Sequence, residues 1–286
     1  MVPDAKLKNT SWHLIEDSRI RFSSFNAALN LKGIKLKNLH RTKLIGAGIA
    51  AGRVATLAAL AMLTSVNASA SGLDNLSTLS QDQFTKLSKD LGAAAAYRGV
   101  TPGNSLGITG FDIGIELTES KIENSSSLKR AGGGDTSTLF IPKLHIHKGL
   151  PAGFDIGAFV SRISGVNASL IGAEVRYQII EDGLTTPSVA LRLSGSKATG
   201  ISQVNLSTVA VDAMISKKLA FITPYAGIGS VRIASAPKIG LLHDVTATDS
   251  RVFVGVNMNF LTTNLALEAE KLGGVSSVSG KIGFRF

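Results

Sequence analysis

Residues 275–286 read VSSVSGKIGFRF, and their period is two. Val278, Ile282, Phe284 and Phe286 alternate with Ser279, Lys281, Gly283 and Arg285. Successive side chains of a strand point to opposite faces, so this segment has one apolar and one polar face. The pattern repeats upstream. Val252, Val254, Val256, Met258 and Phe260 alternate with Arg251, Gly255, Asn257 and Asn259. Ile171, Ala173, Val175, Tyr177 and Ile179 alternate with Gly172, Glu174, Arg176 and Gln178. Phe111, Ile113, Ile115 and Leu117 alternate with Asp112, Gly114 and Glu116. Ten such segments are predicted, at about 106–117, 139–148, 154–161, 169–180, 187–197, 203–217, 221–233, 250–260, 263–271 and 275–286. Most exceed the roughly 5–6 residues of an ordinary soluble strand and match the roughly 9–11 that cross a bilayer at a tilt. The fold class read from this is all-β: a transmembrane antiparallel up-and-down barrel of ten strands. A further strand over Gly92–Tyr97 is the route to an alternative count of twelve.

Connection lengths alternate as such a barrel requires, with short turns at one end and longer loops at the other. With the first strand running outward, periplasmic turns fall near 149–153, 181–186, 218–220 and 261–262. The longest outer connections are 118–138 and 234–249. Phe154, Tyr177, Phe221, Phe260 and Phe286 lie on the apolar face near the periplasmic strand ends, as one aromatic girdle. Phe140 is the best candidate for a thinner outer girdle.

The first seventy residues read as an address. Lys32, Lys35, Lys37, Arg41 and Lys43 precede a small-and-apolar run whose uninterrupted core is Val54–Val66. Ala68-Ser69-Ala70 then gives a small-x-small cleavage pattern, with Ser71 as the new N-terminus. The expected organisation is a leader and signal peptide over 1–70, a periplasmic segment over 71–105 and the barrel over 106–286. Ser80 to Asp90 is predicted as a helix: Ser80 and Gln83 have capping-box spacing, Leu79 and Phe84 staple spacing, and Gly92 suits the C-terminal cap. Its stripe of Phe84, Leu87 and Leu91 suits packing on a rim or plugging a lumen.

Composition narrows the function. The chain has 286 residues, 44% hydrophobic and 17% charged, which excludes disorder. No Cys is present, which excludes disulfides and Cys-ligated metals. The net charge of +10 is concentrated in the leader, so it does not argue for nucleic-acid binding. Gly46–Gly52 resembles a dinucleotide fingerprint, but no strand precedes it. Gly274 to Gly280-Lys281 lacks P-loop spacing and the following Ser or Thr.

The polar faces define the lumen. Inward acids are read as Asp112, Glu116, Asp155, Glu174, Asp212, Glu268 and Glu270, and inward bases as Lys143, Arg176, Arg192, Arg232, Arg251, Lys281 and Arg285. Acids and bases balance, and a lumen of this size is close to filled by side chains, so an ion-paired plug is expected. His145 and His147 stand two apart on one strand face, a chelating spacing without a local third ligand. No cofactor and no metal is expected.

The leader, the even strand number and terminal Lys281-Ile282-Gly283-Phe284-Arg285-Phe286 resemble the small β-barrels of the Gram-negative outer membrane. Gly107-Ile108-Thr109-Gly110-Phe111-Asp112, Lys148-Gly149-Leu150-Pro151 and Pro224-Tyr225-Ala226-Gly227 are similar to phrases in an uncharacterised set of proteobacterial barrels, which bring no activity with them. The resemblance implies residence in the bacterial outer membrane among its lipids and lipopolysaccharide. It also implies that the barrel-assembly machinery reads Phe284 and Phe286. Some ten-stranded outer-membrane proteases use His and Asp at the outer rim, which draws attention to His243-Asp244; that loop holds only Asp244 and Asp249 as acids, too few for a hydrolytic site. The expected function is a monomeric, non-enzymatic barrel with a structural or surface-interaction role. The alternatives are a narrow diffusion pore and, behind it, a rim hydrolase.

Overall fold

The structure, a computed structural model, describes residues 73–163 and 168–286. The leader and its cleavage residues Ala68 and Ala70 lie outside the described residues. Ten strands form one closed antiparallel barrel in which each pairs with its sequence neighbours and β1 closes on β10. They are β1 (Phe111–Lys121), β2 (Thr138–Gly149), β3 (Phe154–Ile163), β4 (Ala168–Ile180), β5 (Ser188–Thr199), β6 (Val204–Ser216), β7 (Ile222–Pro237), β8 (Val245–Phe260), β9 (Thr263–Leu272) and β10 (Val275–Arg285). The closing seam runs from Asp112 opposite Arg285 to Lys121 opposite Ser276. No edge strand is left with unpaired backbone, the condition for standing in hydrocarbon.

Several boundaries differ from the sequence expectation. Residues 106–110 form a turn, not the first part of β1: Gly107 has φ +73° and its carbonyl accepts from the Gly110 amide at 3.0 Å. Strands β7 and β8 are each 16 residues long, and their pairing continues to Ser235 opposite Val245. The loop expected over 234–249 is therefore only 238–244. The loop over 122–137 carries a short helix, α2 (Ser125–Arg130), that alternation does not announce.

Helix α1 (Gln81–Ala95) starts where expected. The Ser80 hydroxyl accepts from the Gln83 amide at 3.3 Å, and the Gln83 side chain accepts from the Ser80 amide at 3.1 Å. It does not stop at Gly92. Ala93, Ala94 and Ala95 extend it, as strong helix formers do. The guanidinium of Arg98 then caps it, donating to the carbonyls of Ala93 and Ala94 at 2.8 and 2.9 Å. Gly92 is instead a point of close approach, because a Cβ there would overlap the Ile233 side chain. Residues 92–95 are helical, so the twelve-strand alternative is not realised.

The segment 71–105, expected as periplasmic with its helix on a rim or plugging the lumen, lies inside the barrel over its described residues 73–105, so it is the plug that is realised. The chain enters at the end bearing loop 122–137, where the Asn75 amide donates to Ala131 O at 3.0 Å and Ser202 donates to Asp74 at 3.1 Å. Helix α1 descends the lumen, Tyr97 to Thr101 continue buried, and Ser105 reaches Asp155 at 3.1 Å before the chain turns into β1. The reason is burial: Phe84, Leu87 and Leu91 are covered by Ile141, Leu170, Leu206, Val231, Ile233 and Leu272 from the wall. Left outside, each such side chain would forgo roughly 1.5–3 kcal/mol.

The outer surface is the reverse of a soluble protein's. Leu144, Ile146, Ile156, Val160, Val175, Leu193, Val211, Val254 and Leu267 all stand exposed. A closed sheet with a continuous apolar exterior is a membrane barrel, and even-stranded barrels of this kind are proteins of the bacterial outer membrane.

Candidate functional site

The lumen has two chemically different halves. Toward the loop end, the inward wall is apolar and receives α1. Toward the turn end, it is charged. There the largest side chains withdrawn from solvent are arginines: Arg98, Arg176, Arg192 and Arg251. Strand alternation explains how they arrive. Arg176 stands opposite Asp155 across β3–β4, and Arg192 opposite Asp212 across β5–β6, both on the inward face.

The pairs form a chain around the wall. Lys281 reaches Asp112 at 3.0 Å, and Arg285 also contacts it. Lys143 and His145 both contact Glu116, at 2.5 and 2.6 Å. Arg176 lies 2.7 Å from Asp155 and 3.6 Å from Glu174. Asp212 accepts from Arg192 at 2.9 Å and Arg251 at 3.0 Å. Arg251 also lies 3.3 Å from Glu270. Glu268 has no base within 4 Å among the described residues; the Tyr225 hydroxyl donates to it at 2.9 Å.

One predicted lumen base is misplaced. Arg232 is exposed on the outer face, flanked by buried Val231 and Ile233. The reading that inward means polar fails there because that part of the wall is apolar to receive α1. The seventh inward base comes instead from Arg98, which follows α1 and sits 2.7 Å from Glu270. Charge balance is thus completed by the chain that fills the lumen. Nothing in strand periodicity could place Arg98; its position next to the apolar stripe of α1 was the available signal.

His145 and His147 point inward and stack, with ring centroids 5.6 Å apart. His147 lies 3.2 Å from the Tyr97 hydroxyl and 3.6 Å from Glu174. No group of three or more potential metal ligands converges among the described residues. His243 and Asp244 are exposed in loop 238–244, and His243 is tied by its backbone to the Gln81 side chain at 2.9 and 3.2 Å.

At the loop end a polar recess of about 340 Å³ opens between α1 and the rim, lined by Lys86, Lys89, Asp90, Glu123, Asn124 and Asp249. Lys89 bridges to Asp249 at 3.0 Å, and Asn124 donates twice to Asp90, at 2.7 and 3.0 Å. Burial raises the Asp90 carboxyl above its ordinary value, against the lowering effect of those bonds.

No family model and no curated protein sequence matches the chain. Among solved structures it is similar to the KdgM porin, at 11% identity over 62% of this chain and 99% of that one, with a TM-score of 0.33. The translocator domain of the autotransporter NalP from Neisseria meningitidis is similar at 11% identity, over 62% and 87%, with a TM-score of 0.35. The attachment invasion locus protein Ail of Yersinia pestis is similar at 9% identity, over 62% and 98%, with a TM-score of 0.28.

Proposed function

We propose that this outer-membrane barrel is closed by its own residues 73–105 and acts through its loop-end surface, not by passing solutes or by catalysis. One observation carries the reading. Arg192, in the middle of the charged half of the lumen, is 1% exposed, whereas the lining of a water-filled path would face solvent. Eight strands leave an interior that side chains just fill, and about sixteen to eighteen leave an aqueous channel. Here the space that a ten-stranded wall leaves is occupied by α1 and the extended residues after it.

The test is conductance of the purified, folded protein in planar bilayers. The expected result is silence across both polarities in wild type. Steady single-channel steps from the wild-type barrel would replace this reading with the diffusion pore.

A further inference from the structure

The misplaced Arg232 belongs to a pattern. At the loop end of the barrel, the outward face of every odd-numbered strand carries a base: Lys121 on β1, Arg162 on β3, Lys197 on β5, Arg232 on β7 and Lys271 on β9, all exposed. The even-numbered strands carry hydroxyls on the same face: Thr138, Ser169, Ser207, Thr248 and Ser276. The register brings them together one by one. Lys121 stands directly opposite both Thr138 and Ser276. Arg162 faces Ser169, Lys197 faces Ser207, Arg232 faces Thr248 and Lys271 faces Ser276. Directly opposed residues have Cβ atoms about 4.5–5.5 Å apart. Each pair therefore offers a cation and a hydroxyl donor to one point outside the wall.

The other end of the barrel is different. Its outward face is aromatic, with Phe154 stacked on Tyr177 at 4.5 Å and Phe221 on Phe260 at 5.3 Å. Two of its bases are engaged, while Lys218 is exposed without an ion pair among the described residues. Lys217 bridges to Asp182 at 3.2 Å, and Lys148 lies 4.5 Å from the Phe111 ring. Among the described residues of the loop-end band the one outward acid on a strand is Glu119, two residues from Lys121. No ion pair involves Lys121, Arg162, Lys197, Arg232 or Lys271 among the described residues, although the Lys271 ammonium donates to the Gly274 carbonyl.

We propose that this band seats phosphorylated glycolipid of the leaflet at the loop end, each base-and-hydroxyl pair taking one phosphate. Neighbouring bases lie two strands apart. Lys121 and Lys271, both opposite Ser276, stand roughly 10 Å apart. The others are spaced further by offsets of two to four residues along the strands, so a headgroup with two phosphates best bridges the Lys121 and Lys271 pairs. The hydroxyls serve phosphate oxygens and sugar hydroxyls alike, which favours a glycolipid over a simple phospholipid. The proposal rests on the membrane barrel itself and stands or falls independently of the closed lumen.

Native mass spectrometry of the full-length protein in a zwitterionic detergent counts bound lipid. The probes are bis-phosphorylated lipopolysaccharide, phosphatidylglycerol, and a neutral glycolipid. Lipopolysaccharide is expected to bind most tightly, and rising salt to weaken it. Replacing Arg162, Lys197 and Arg232 by Gln together should lower its affinity by about fivefold per base removed. Lys148→Gln with Lys218→Gln, at the other end, should leave it unchanged. Both variants are checked for the heat-modifiable folded band. If the triple variant fails to fold, Ser169→Ala, Ser207→Ala and Thr248→Val together provide the same test through the hydroxyls, with an expected loss of severalfold. The proposal is overturned if the loop-end variants bind as wild type or if the control pair loses as much. Equal binding of phosphatidylglycerol or of neutral glycolipid, or complete displacement by inorganic phosphate, would also overturn it.

Discussion

Arg192 is the residue whose removal best separates a filled lumen from a watery one. Its guanidinium donates through Nε to Asp212 at 2.9 Å, lies 3.9 Å from Glu174, and covers the Phe253 ring at 4.9 Å. Truncating one partner of a buried pair costs roughly 3–5 kcal/mol, because the other charge is left desolvated and alone. Asp212 would not be wholly alone, since Arg251 remains 3.0 Å away. Arg192→Ala is therefore expected near the lower end, about 3 kcal/mol, with Glu174 bearing part of it through its weaker contact. Adding Asp212→Asn removes the stranded carboxylate while leaving Arg251 its contact with Glu270 at 3.3 Å. The double variant should recover about 1–2 kcal/mol, the coupling expected of side chains in direct contact. Arg232→Ala, on the outer face, is the internal control and should change stability by less than about 0.5 kcal/mol. Urea unfolding of the barrel in lipid vesicles, read by loss of the heat-modifiable band, gives these values, with Asp212→Asn alone measured to close the cycle. An Arg192→Ala barrel as stable as wild type, or an Arg232→Ala barrel that loses as much as Arg192→Ala, would refute the assignment of these arginines to dry and wet faces.

Three other outcomes are expected. The envelope form should begin at Ser71, after cleavage behind Ala70; N-terminal sequencing that finds Val54–Val66 retained would contradict the leader reading. Phe286→Asp should cut the amount of inserted barrel severalfold while Phe221→Ala, on the same girdle, cuts it little, as judged by the folded band in outer-membrane fractions; equal losses would show that Phe286 is only one more girdle residue. Gly92→Val should destabilise by about 1–3 kcal/mol through overpacking against Ile233, and Ile233→Ala should relieve part of that in the double variant; additive losses would mean that α1 does not approach β7 as closely as the structure shows.

The barrel is legible in the sequence because its signal is purely local. Alternation in VSSVSGKIGFRF and its counterparts comes from a two-residue period that no tertiary contact can alter without exposing the wrong face. The ends are less legible. Pairing of β7 and β8 runs past the last clear alternation because Thr246, Thr248 and Ser250 face outward, where hydroxyls replace the aliphatic residues that mark the lipid face. Gly107 and Gly110 lie in apolar surroundings that read as strand, yet the positive φ at Gly107 makes a turn. Helix α1 is visible from Ser80 and Gln83, but its true end depends on Arg98, a cap that only the folded chain brings into reach. Reading the inward charges from alternation assumes a lumen face that is polar throughout. That assumption is sound where the lumen meets water or ion pairs and fails where it meets another apolar element.

Arg232 marks the place where it fails, and the cause lies across the lumen. An inward position filled by Val231 or Ile233 makes sense only if something apolar occupies the lumen beside it, and the Phe84, Leu87 and Leu91 stripe of α1 is that occupant. The two halves of the lumen then fix the direction of the inserted chain. Reversed, α1 would set its leucines against Asp112, Glu116 and Arg176, and Arg98 against Leu139 and Leu206, leaving buried charges without partners. An uncompensated charge of that kind costs several kcal/mol, far more than the helix could regain elsewhere. The wall sequence and the helix sequence are therefore two parts of one specification: apolar wall with apolar stripe at the loop end, and acidic Glu270 with Arg98 below it.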